Sequence, residues 1–274
     1  MYVSVAVMDT GIFRHMDFDT RIAGFADFVG RKKYLYDDNG HGTHVAGIIA
    51  GSGKGSNGKY RGIAPDTFLV SVKVLDKSGN GKIENVVEAA GWIIENKSAM
   101  NIRVVNISFG TRAKMENGPA IETGEDDYAL IMAVEKMWDS GIVVVAAAGN
   151  NGPGNTSVTA PGISKKIITV GAFDDKNFFS GRGPTRECIV KPEVVVTGSN
   201  IIACNNHQGR YSSKSGTSMA APVVSGAVAR LIKNNPDITP KEVKIWMKSC
   251  CKKIIVPSEK QGWGVLDIRK FVTG

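Results

Sequence analysis

The chain has 274 residues, of which 42% are hydrophobic and 22% charged, as is typical of a folded globular protein with a full core. Its net charge is +8, but the basic residues are spread along the sequence and no nucleic-acid-binding module is recognisable, so we expect no nucleic-acid partner. No apolar run reaches the roughly 18 residues of a membrane-spanning helix, so we expect no membrane partner either.

Strand and helix patterns alternate along the sequence. Apolar segments rich in valine and isoleucine predict strands at residues 2–9, 68–75, 102–109, 141–150 and 166–173. Segments with helical spacing predict helices at residues 41–51, 84–98, 125–141, 218–234 and 239–251. Strands that are apolar on both faces and alternate with helices are typical of a parallel sheet covered on both sides. The sequence therefore predicts an α/β fold, a three-layer α/β/α sandwich with a mostly parallel central sheet, as a single domain over residues 1–274.

Three polar residues lie at the ends of predicted elements. Asp9 ends the first strand, His41 begins a helix between two glycines, and Ser218 begins another helix. A serine hydroxyl is a poor nucleophile near neutral pH unless an imidazole takes its proton, and the imidazole needs a carboxylate to fix its tautomer. The set therefore predicts a catalytic triad. A helix cap alone would explain Ser218 but neither of the other two residues.

Asn150 is a fourth candidate catalytic residue. It follows the apolar strand "VVVAAAGN", so its side-chain amide is expected at the same edge of the sheet as Asp9. An amide N–H at that place can donate to a developing oxyanion, together with the backbone N–H of Ser218. The sequence thus predicts an oxyanion hole that is formed by one side chain and one backbone group.

Five motifs carry a resemblance to a known family. They are "MDTGI" around Asp9, "GHGTHVAG" around His41, "NISFG" at 106–110, "AAAGN" ending at Asn150 and "GTSMAAP" around Ser218. In this order they resemble the subtilisin-like serine proteases, the subtilase family, over residues 3–272, and within it the bacterial intracellular alkaline proteases. The resemblance implies a subtilisin-like fold and a serine endopeptidase that works through an acyl-enzyme, with protein or peptide substrates.

The resemblance also implies which residues bind the peptide. Two edge segments are expected to pair with the substrate backbone, and they contain Ser108, Phe109, Gly110 and Gly79. A pocket for the side chain before the cut is expected at Ala147, Ala148 and Gly149, near the loop that begins at Thr159. Its small wall residues predict a preference for large apolar side chains.

No cofactor is expected for the chemistry, and no zinc motif such as HExxH is present. Members of the family bind structural calcium at the position of Asp17 and through a loop that here, at residues 51–62, carries lysines and no carboxylate. Calcium takes six or more oxygen ligands, so this site is expected to be incomplete. A structural calcium elsewhere in the chain stays open.

The cellular context is predicted from the cysteines and the start of the chain. Cys188, Cys204, Cys250 and Cys251 show no metal-like spacing, and the sequence opens on an apolar strand without a signal peptide. These features favour free thiols and a cytoplasmic location. The oligomeric state is not predicted.

Two other functions stay open from the sequence. One is a catalytically silent peptide-binding or regulatory protein on the same fold, and the other is an esterase with the same triad. Residues 111–127 are longer than the family pattern, and their carboxylates predict either an acidic rim of the cleft or a surface insertion with carboxylates at a helix start.

Overall fold

The structure is a computed structural model that describes residues 2–111, 124–177 and 179–273. The strands in this part of the chain are β1 (Ser4–Asp9), β2 (Ile22–Asp27), β3 (Phe68–Lys73), β4 (Ile102–Ile107), β5 (Val143–Ala147), β6 (Ile168–Ala172), β7 (Val194–Val196), β8 (Ile201–Cys204), β9 (Tyr211–Lys214), β10 (Cys251–Lys252) and β11 (Val265–Leu266). The helices are α1 (His41–Ala50), α2 (Ile83–Asn96), α3 (Glu125–Asp139), α4 (Thr217–Asn234), α5 (Pro240–Ser249), α6 (Ser258–Gln261) and α7 (Ile268–Thr273), with a 3₁₀ turn at Lys54–Ser56.

Nine of these strands form the central sheet, in the order β10-β11-β7-β6-β5-β4-β1-β3-β2. All neighbouring strands are parallel except β10 and β11, which are antiparallel. Strands β8 and β9 form a separate antiparallel hairpin. The prediction of an α/β fold with a mostly parallel sheet is confirmed.

Both faces of the sheet are buried, because alternate side chains of each central strand point to opposite sides. In β1, Val5 and Val7 belong to the core that packs against α1 and α4, whereas Ala6 and Met8 belong to the core that packs against α2 and α3. Burying one such valine or methionine side chain contributes about 1.5–3 kcal/mol. These two cores hold the strand ends, and hence the loops that follow them, in fixed positions.

Each predicted strand and helix is present, with ends that differ by a few residues. The sequence did not predict β2, because this edge strand is only partly buried and contains Gly24. A Cβ at Gly24 would lie 2.6 Å from the sulfur of Met100, so the glycine allows this methionine to pack against the strand. The short strands β7 to β11 and helices α6 and α7 were also missed.

The acidic segment at residues 111–127 is only partly described. Glu116 and Glu122 lie outside the described residues, so the acidic rim stays a prediction. Glu125, Asp126 and Asp127 form the first turn of α3, where carboxylates interact favourably with the helix dipole.

Among the described helices, none combines the length and the apolar character that are needed to cross a membrane.

Candidate active site

Asp9 and His41 are in direct contact. Asp9 is the last residue of β1 and its side chain is fully buried, whereas His41 is the first residue of α1 and its side chain is one-quarter exposed. The Nδ1 atom of His41 lies 2.8 and 2.9 Å from the two carboxylate oxygens of Asp9. This contact assigns the proton to Nδ1, which leaves Nε2 as the basic nitrogen of the ring.

Glycine at position 42 makes this contact possible. A Cβ at Gly42 would lie 2.1 Å from the carbonyl oxygen of Gly11 and 3.1 Å from the Cβ of Asp9. Any larger residue would therefore force the start of α1 away from the end of β1. The "GHGTH" sequence has a glycine here because the helix packs directly on the strand that carries Asp9.

The surroundings of His41 set its pKa. Burial alone would lower the pKa, but the charge of Asp9 and its hydrogen bond outweigh burial, so the pKa of His41 is raised above 6.5. The charge of Lys214 acts in the lowering direction and that of Asp37 in the raising direction. The imidazolium form is therefore stabilised, as a residue that takes up a proton during a reaction requires.

Ser218 is the second residue of α4, and its hydroxyl is directed toward Ser108. The Ser218 Oγ donates to the carbonyl oxygen of Ser108 at 2.8 Å. The Ser108 Oγ donates in return to the carbonyl oxygen of Ser218 at 2.9 Å. The two serines thus form a reciprocal pair at the point where the end of β4 meets the start of α4.

Pro222 explains why the Ser218 carbonyl is available. Helix α4 begins at Thr217, so Pro222 is its sixth residue and lies beyond the first turn. A proline has no N–H, so the carbonyl four residues earlier, that of Ser218, lacks its helical partner. The Ser108 hydroxyl supplies the missing donor.

Asn150 is held by the residue that precedes Ser218. Its side-chain Oδ1 accepts hydrogen bonds from the backbone N–H of Thr217 at 3.0 Å and from the Thr217 hydroxyl at 3.1 Å. The Thr217 hydroxyl in turn accepts from the backbone N–H of Gly149 at 3.1 Å. Because Oδ1 is engaged, the Nδ2 group is the free end of the amide and is available as a donor.

A pocket of about 470 Å³ opens beside Ser218. Its lining contains no charged side chain among the described residues, and it consists of Phe109, Gly110, Thr111, Ala147, Gly149, Asn150, Asn151, Thr159, Thr217 and Ser218. The pocket brings together most of the residues that the sequence predicted for substrate binding. It is large enough for one amino-acid side chain.

Three predicted binding residues lie outside this lining. Ala148 is fully buried, and its main chain bonds to neighbouring segments instead. Ser108 is also buried and makes the pair with Ser218 described above. Gly79 has a φ of +77° and lies in the exposed turn after β3, whose Lys77 carbonyl accepts from the side-chain amide of Asn39 at 3.0 Å.

The carboxylate of Asp17, for which the resemblance implied a calcium position, already accepts hydrogen bonds from four protein donors. Its oxygens accept from the backbone N–H groups of Gly53 and Gly55 at 2.9 Å, from the Tyr211 hydroxyl at 2.9 and 3.0 Å, and from the Cys204 thiol at 3.5 Å. Four donors occupy the lone pairs of one carboxylate. These residues do not fit a calcium ion, because the cation would have to displace these donors.

His15, Asp17 and Cys204 are the cluster in the described chain that most resembles a metal site. The His15 Nδ1, however, accepts from the backbone N–H of Asp17 at 3.1 Å, and its Nε2 lies 3.1 Å from the Arg210 carbonyl oxygen. Burial and the nearby Asp17 raise the pKa of the Cys204 thiol, which disfavours a thiolate ligand. The hydrogen bonds therefore account for the cluster without an ion.

Sequence reasoning did not single out two polar residues of the site. Thr217 was read as part of a motif, and only its two bonds to Asn150 show that it orients the amide. Asn106 is fully buried at the end of β4, donates to the Ser108 hydroxyl at 2.9 Å and accepts from Ser225 at 2.8 Å. A polar residue in an otherwise apolar strand was the available signal for Asn106.

The fold and the site together define a class. It is that of α/β proteins with an aspartate, a histidine and a serine at one edge of a parallel sheet. The model of the Subtilase family matches residues 2–264. The chain belongs to the subtilase family.

Named relatives agree with this assignment. Serine protease AprX of Bacillus subtilis (strain 168) is 42% identical over 274 residues, which cover 90% of this chain and 60% of AprX. Subtilisin DY of Bacillus licheniformis is 35% identical over 244 residues, which cover 88% of this chain and 81% of the relative. A crystal structure of a cold-adapted subtilisin-like serine proteinase has a TM-score of 0.76 and 30% identity, and the match covers 96% of this chain and 86% of that one. The present chain therefore spans about three-fifths of the length of AprX.

Proposed function

We propose that the chain is a serine endopeptidase whose catalytic residues are Asp9, His41, Ser218 and Asn150. The observation that carries the proposal is the contact of His41 Nδ1 with both oxygens of the buried Asp9. A structural histidine does not need a fully buried carboxylate on one nitrogen and a second nitrogen that has no hydrogen-bond partner among the described residues. A base that accepts the proton of a serine needs both.

The mechanism follows from the roles of these four residues. The Ser218 hydroxyl first breaks its hydrogen bond to the Ser108 carbonyl oxygen. The Ser218 Oγ then attacks the carbonyl carbon of the peptide bond while His41 Nε2 takes the hydroxyl proton. The Asn150 Nδ2 group and the Ser218 backbone N–H donate to the oxyanion that forms. His41 then protonates the leaving amine. A water molecule, deprotonated by His41, hydrolyses the acyl-enzyme and restores the Ser218 hydroxyl.

The proposed substrates are extended protein or peptide segments. Main-chain groups of Ser108, Phe109 and Gly110, and of the turn around Gly79, would pair with the backbone of the substrate. The uncharged pocket beside Ser218 supports a preference for large apolar side chains before the cut. A Cβ at Gly110 or Gly149 would lie 2.3 or 2.7 Å from the Thr159 hydroxyl, so the wall of the pocket needs glycine at both positions.

The proposal needs no cofactor and treats residues 1–274 as one peptidase domain. The bacterial relatives support a bacterial protein. A cytoplasmic location is also part of the proposal, and the four free thiols support it.

Labelling with a fluorophosphonate probe tests the proposed function. We expect one modified residue, Ser218, in the wild-type chain and none in the Ser218→Ala variant. Ser249→Ala is the matched control, because it removes an exposed serine at the end of α5 that is not part of the site. It should label like the wild type. Absence of labelling in a folded wild-type chain would favour the catalytically silent alternative.

A further inference from the structure

Asp37 lies between the two elements that carry Asp9 and His41. Its side chain is buried, with a residue exposure of 6%, and its main chain forms an antiparallel bridge with Gly11. Sequence analysis assigned it no role. Its carboxylate accepts five hydrogen bonds from groups on both sides of the active site.

Toward β1, the carboxylate bonds to the neighbour of Asp9. The Thr10 hydroxyl donates to Oδ1 of Asp37 at 2.9 Å. The same Thr10 oxygen accepts from the backbone N–H of Gly42 at 3.0 Å. Thr10 directly follows Asp9, and Gly42 directly follows His41. The Thr10 hydroxyl therefore links Asp37 to the neighbours of both residues.

Toward α1, the carboxylate bonds to the start of the helix. Oδ1 accepts from the backbone N–H groups of Asn39 at 3.1 Å and Gly40 at 2.8 Å. Oδ2 accepts from the backbone N–H of Thr43 at 2.9 Å and from its hydroxyl at 2.5 Å. The Asp37 carboxylate thus binds backbone N–H groups both before His41, at Asn39 and Gly40, and after it, at Thr43.

Asp37 has no cationic partner within ion-pair distance among the described residues. Its nearest charged neighbour in the chain, Asp38, pairs with Lys73 instead. The charge of Asp37 is therefore balanced by N–H and O–H groups and by the positive end of the α1 dipole. The five hydrogen bonds form only when the loop before α1 has one particular conformation, because the donors come from four different residues.

We propose that Asp37 is a positioning residue of the active site, which holds the His41 imidazole against Asp9 by binding both the end of β1 and the start of α1. The inference rests on the proposed function. A displacement of about 1 Å between reacting groups is enough to lower a rate about 100-fold, so a residue that fixes this distance acts on turnover rather than on substrate affinity.

Asparagine at position 37 would disturb this arrangement without changing its size. One carboxylate oxygen would become an NH₂ group, which would face the N–H donors of Gly40 or Thr43. The negative charge near His41 would also be lost. Among the charged groups of the described residues, Asp9, Lys214 and Asp37 act most on the pKa of His41; Asp37 raises it, so removal of this charge lowers the pKa.

Steady-state kinetics of Asp37→Asn between pH 5 and 9 tests the proposal. We expect kcat to fall at least about tenfold with little change in KM, and the lower limb of the kcat/KM profile to move to lower pH. Asp19→Asn is the control, because it removes an exposed carboxylate that pairs with Lys54, and it should match the wild type.

A second variant separates geometry from charge. Thr10→Val removes the hydroxyl that joins Asp37 to β1 and leaves the Asp37 charge in place. We expect a lower kcat with an unchanged pH limb. This variant also keeps the test decisive if Asp37→Asn does not fold.

The downfield proton resonance of His41 Nδ1–H gives a readout that is independent of turnover. It should be present in Ser218→Ala and be shifted or broadened when Asp37→Asn is added. An unchanged resonance, or a wild-type kcat in a folded Asp37→Asn chain, would show that Asp37 does not position His41 and would overturn the inference. If the wild-type chain fails to label with fluorophosphonate, the proposed function fails, which is a separate result.

Discussion

Ser108 and Ser218 exchange two hydrogen bonds, each through its hydroxyl and the carbonyl oxygen of the other. One of the two exists because Pro222 leaves the Ser218 carbonyl without a helical donor. The other hydrogen bond engages the hydroxyl of Ser218, the proposed nucleophile. This bond to the Ser108 carbonyl has to break before the hydroxyl can bond to His41.

Ser108→Ala should reduce stability more than a surface substitution does. It leaves the Ser218 carbonyl and the Asn106 side-chain amide without their partner in a buried place, which costs about 1–3 kcal/mol. The free energy of unfolding by urea should be measured in the Ser218→Ala background, which excludes self-digestion. Ser213→Ala, at an exposed position of β9, is the control and should change this energy by about 0.5 kcal/mol or less. Equal values for the two variants would contradict the prediction.

The pH dependence of turnover should reflect the raised pKa of His41. The residue accepts a proton only when it is neutral, so kcat/KM should rise with pH and reach half its plateau above pH 6.5. Lys214 lowers this pKa, so Lys214→Met should move the half-maximal pH upward. A midpoint below 6.5 in the wild type, or a downward shift in the variant, would be inconsistent with this assignment. Hydrolysis of a short chromogenic peptide measures both.

Asn150→Ala should lower kcat by about 100- to 1,000-fold, a magnitude that comes from subtilisin itself and not from this geometry. KM should change little, because the donor acts on the oxyanion and not on the bound substrate.

Thr217→Val removes the hydroxyl that bonds to Asn150 Oδ1 while keeping the side-chain shape. We expect a smaller loss, of up to about tenfold in kcat, since one neutral hydrogen bond contributes about 0.5–1.5 kcal/mol. Additive losses in the double variant would show that Thr217 does not act through Asn150.

Removal of calcium should leave the Asp17 region unchanged. The carboxylate already has four protein donors, so treatment with EDTA should not alter the backbone amide exchange of residues 51–62. Tyr211→Phe removes one of these donors and should destabilise the chain by about 1 kcal/mol, with or without added calcium. Faster amide exchange of residues 51–62 in EDTA would show that a cation holds this loop.

The sequence was sufficient to predict the main elements and the order of the proposed catalytic residues, because both depend on local patterns. The valine-rich strands have no competing interpretation, and Asp9, His41 and Ser218 each stand at the end of an element. The edge strand β2 could not be predicted, because its pairing with β3 depends on a distant segment rather than on its own half-buried pattern.

The contacts of the site depend on groups that are distant in the sequence. The effect of Pro222 depends on the helix around it, because the carbonyl that lacks a helical donor is that of Ser218, four residues earlier. The bond from Ser108 to Ser218 joins residues 110 positions apart, and the bond from Thr217 to Asn150 joins residues 67 apart. No local pattern encodes such pairs, so they become visible only in three dimensions.

Helix α4 carries Ser218 at one end, and fourteen of its eighteen residues are buried in the centre of the molecule. A substitution along this helix therefore changes folding and turnover together, and directed evolution has little freedom there. Phe109, Thr111 and Asn151 also line the pocket, and none of the three is fully buried. Libraries that aim at a new cleavage preference belong at these positions, where variation leaves Ser218, Ser108 and Asn150 in place.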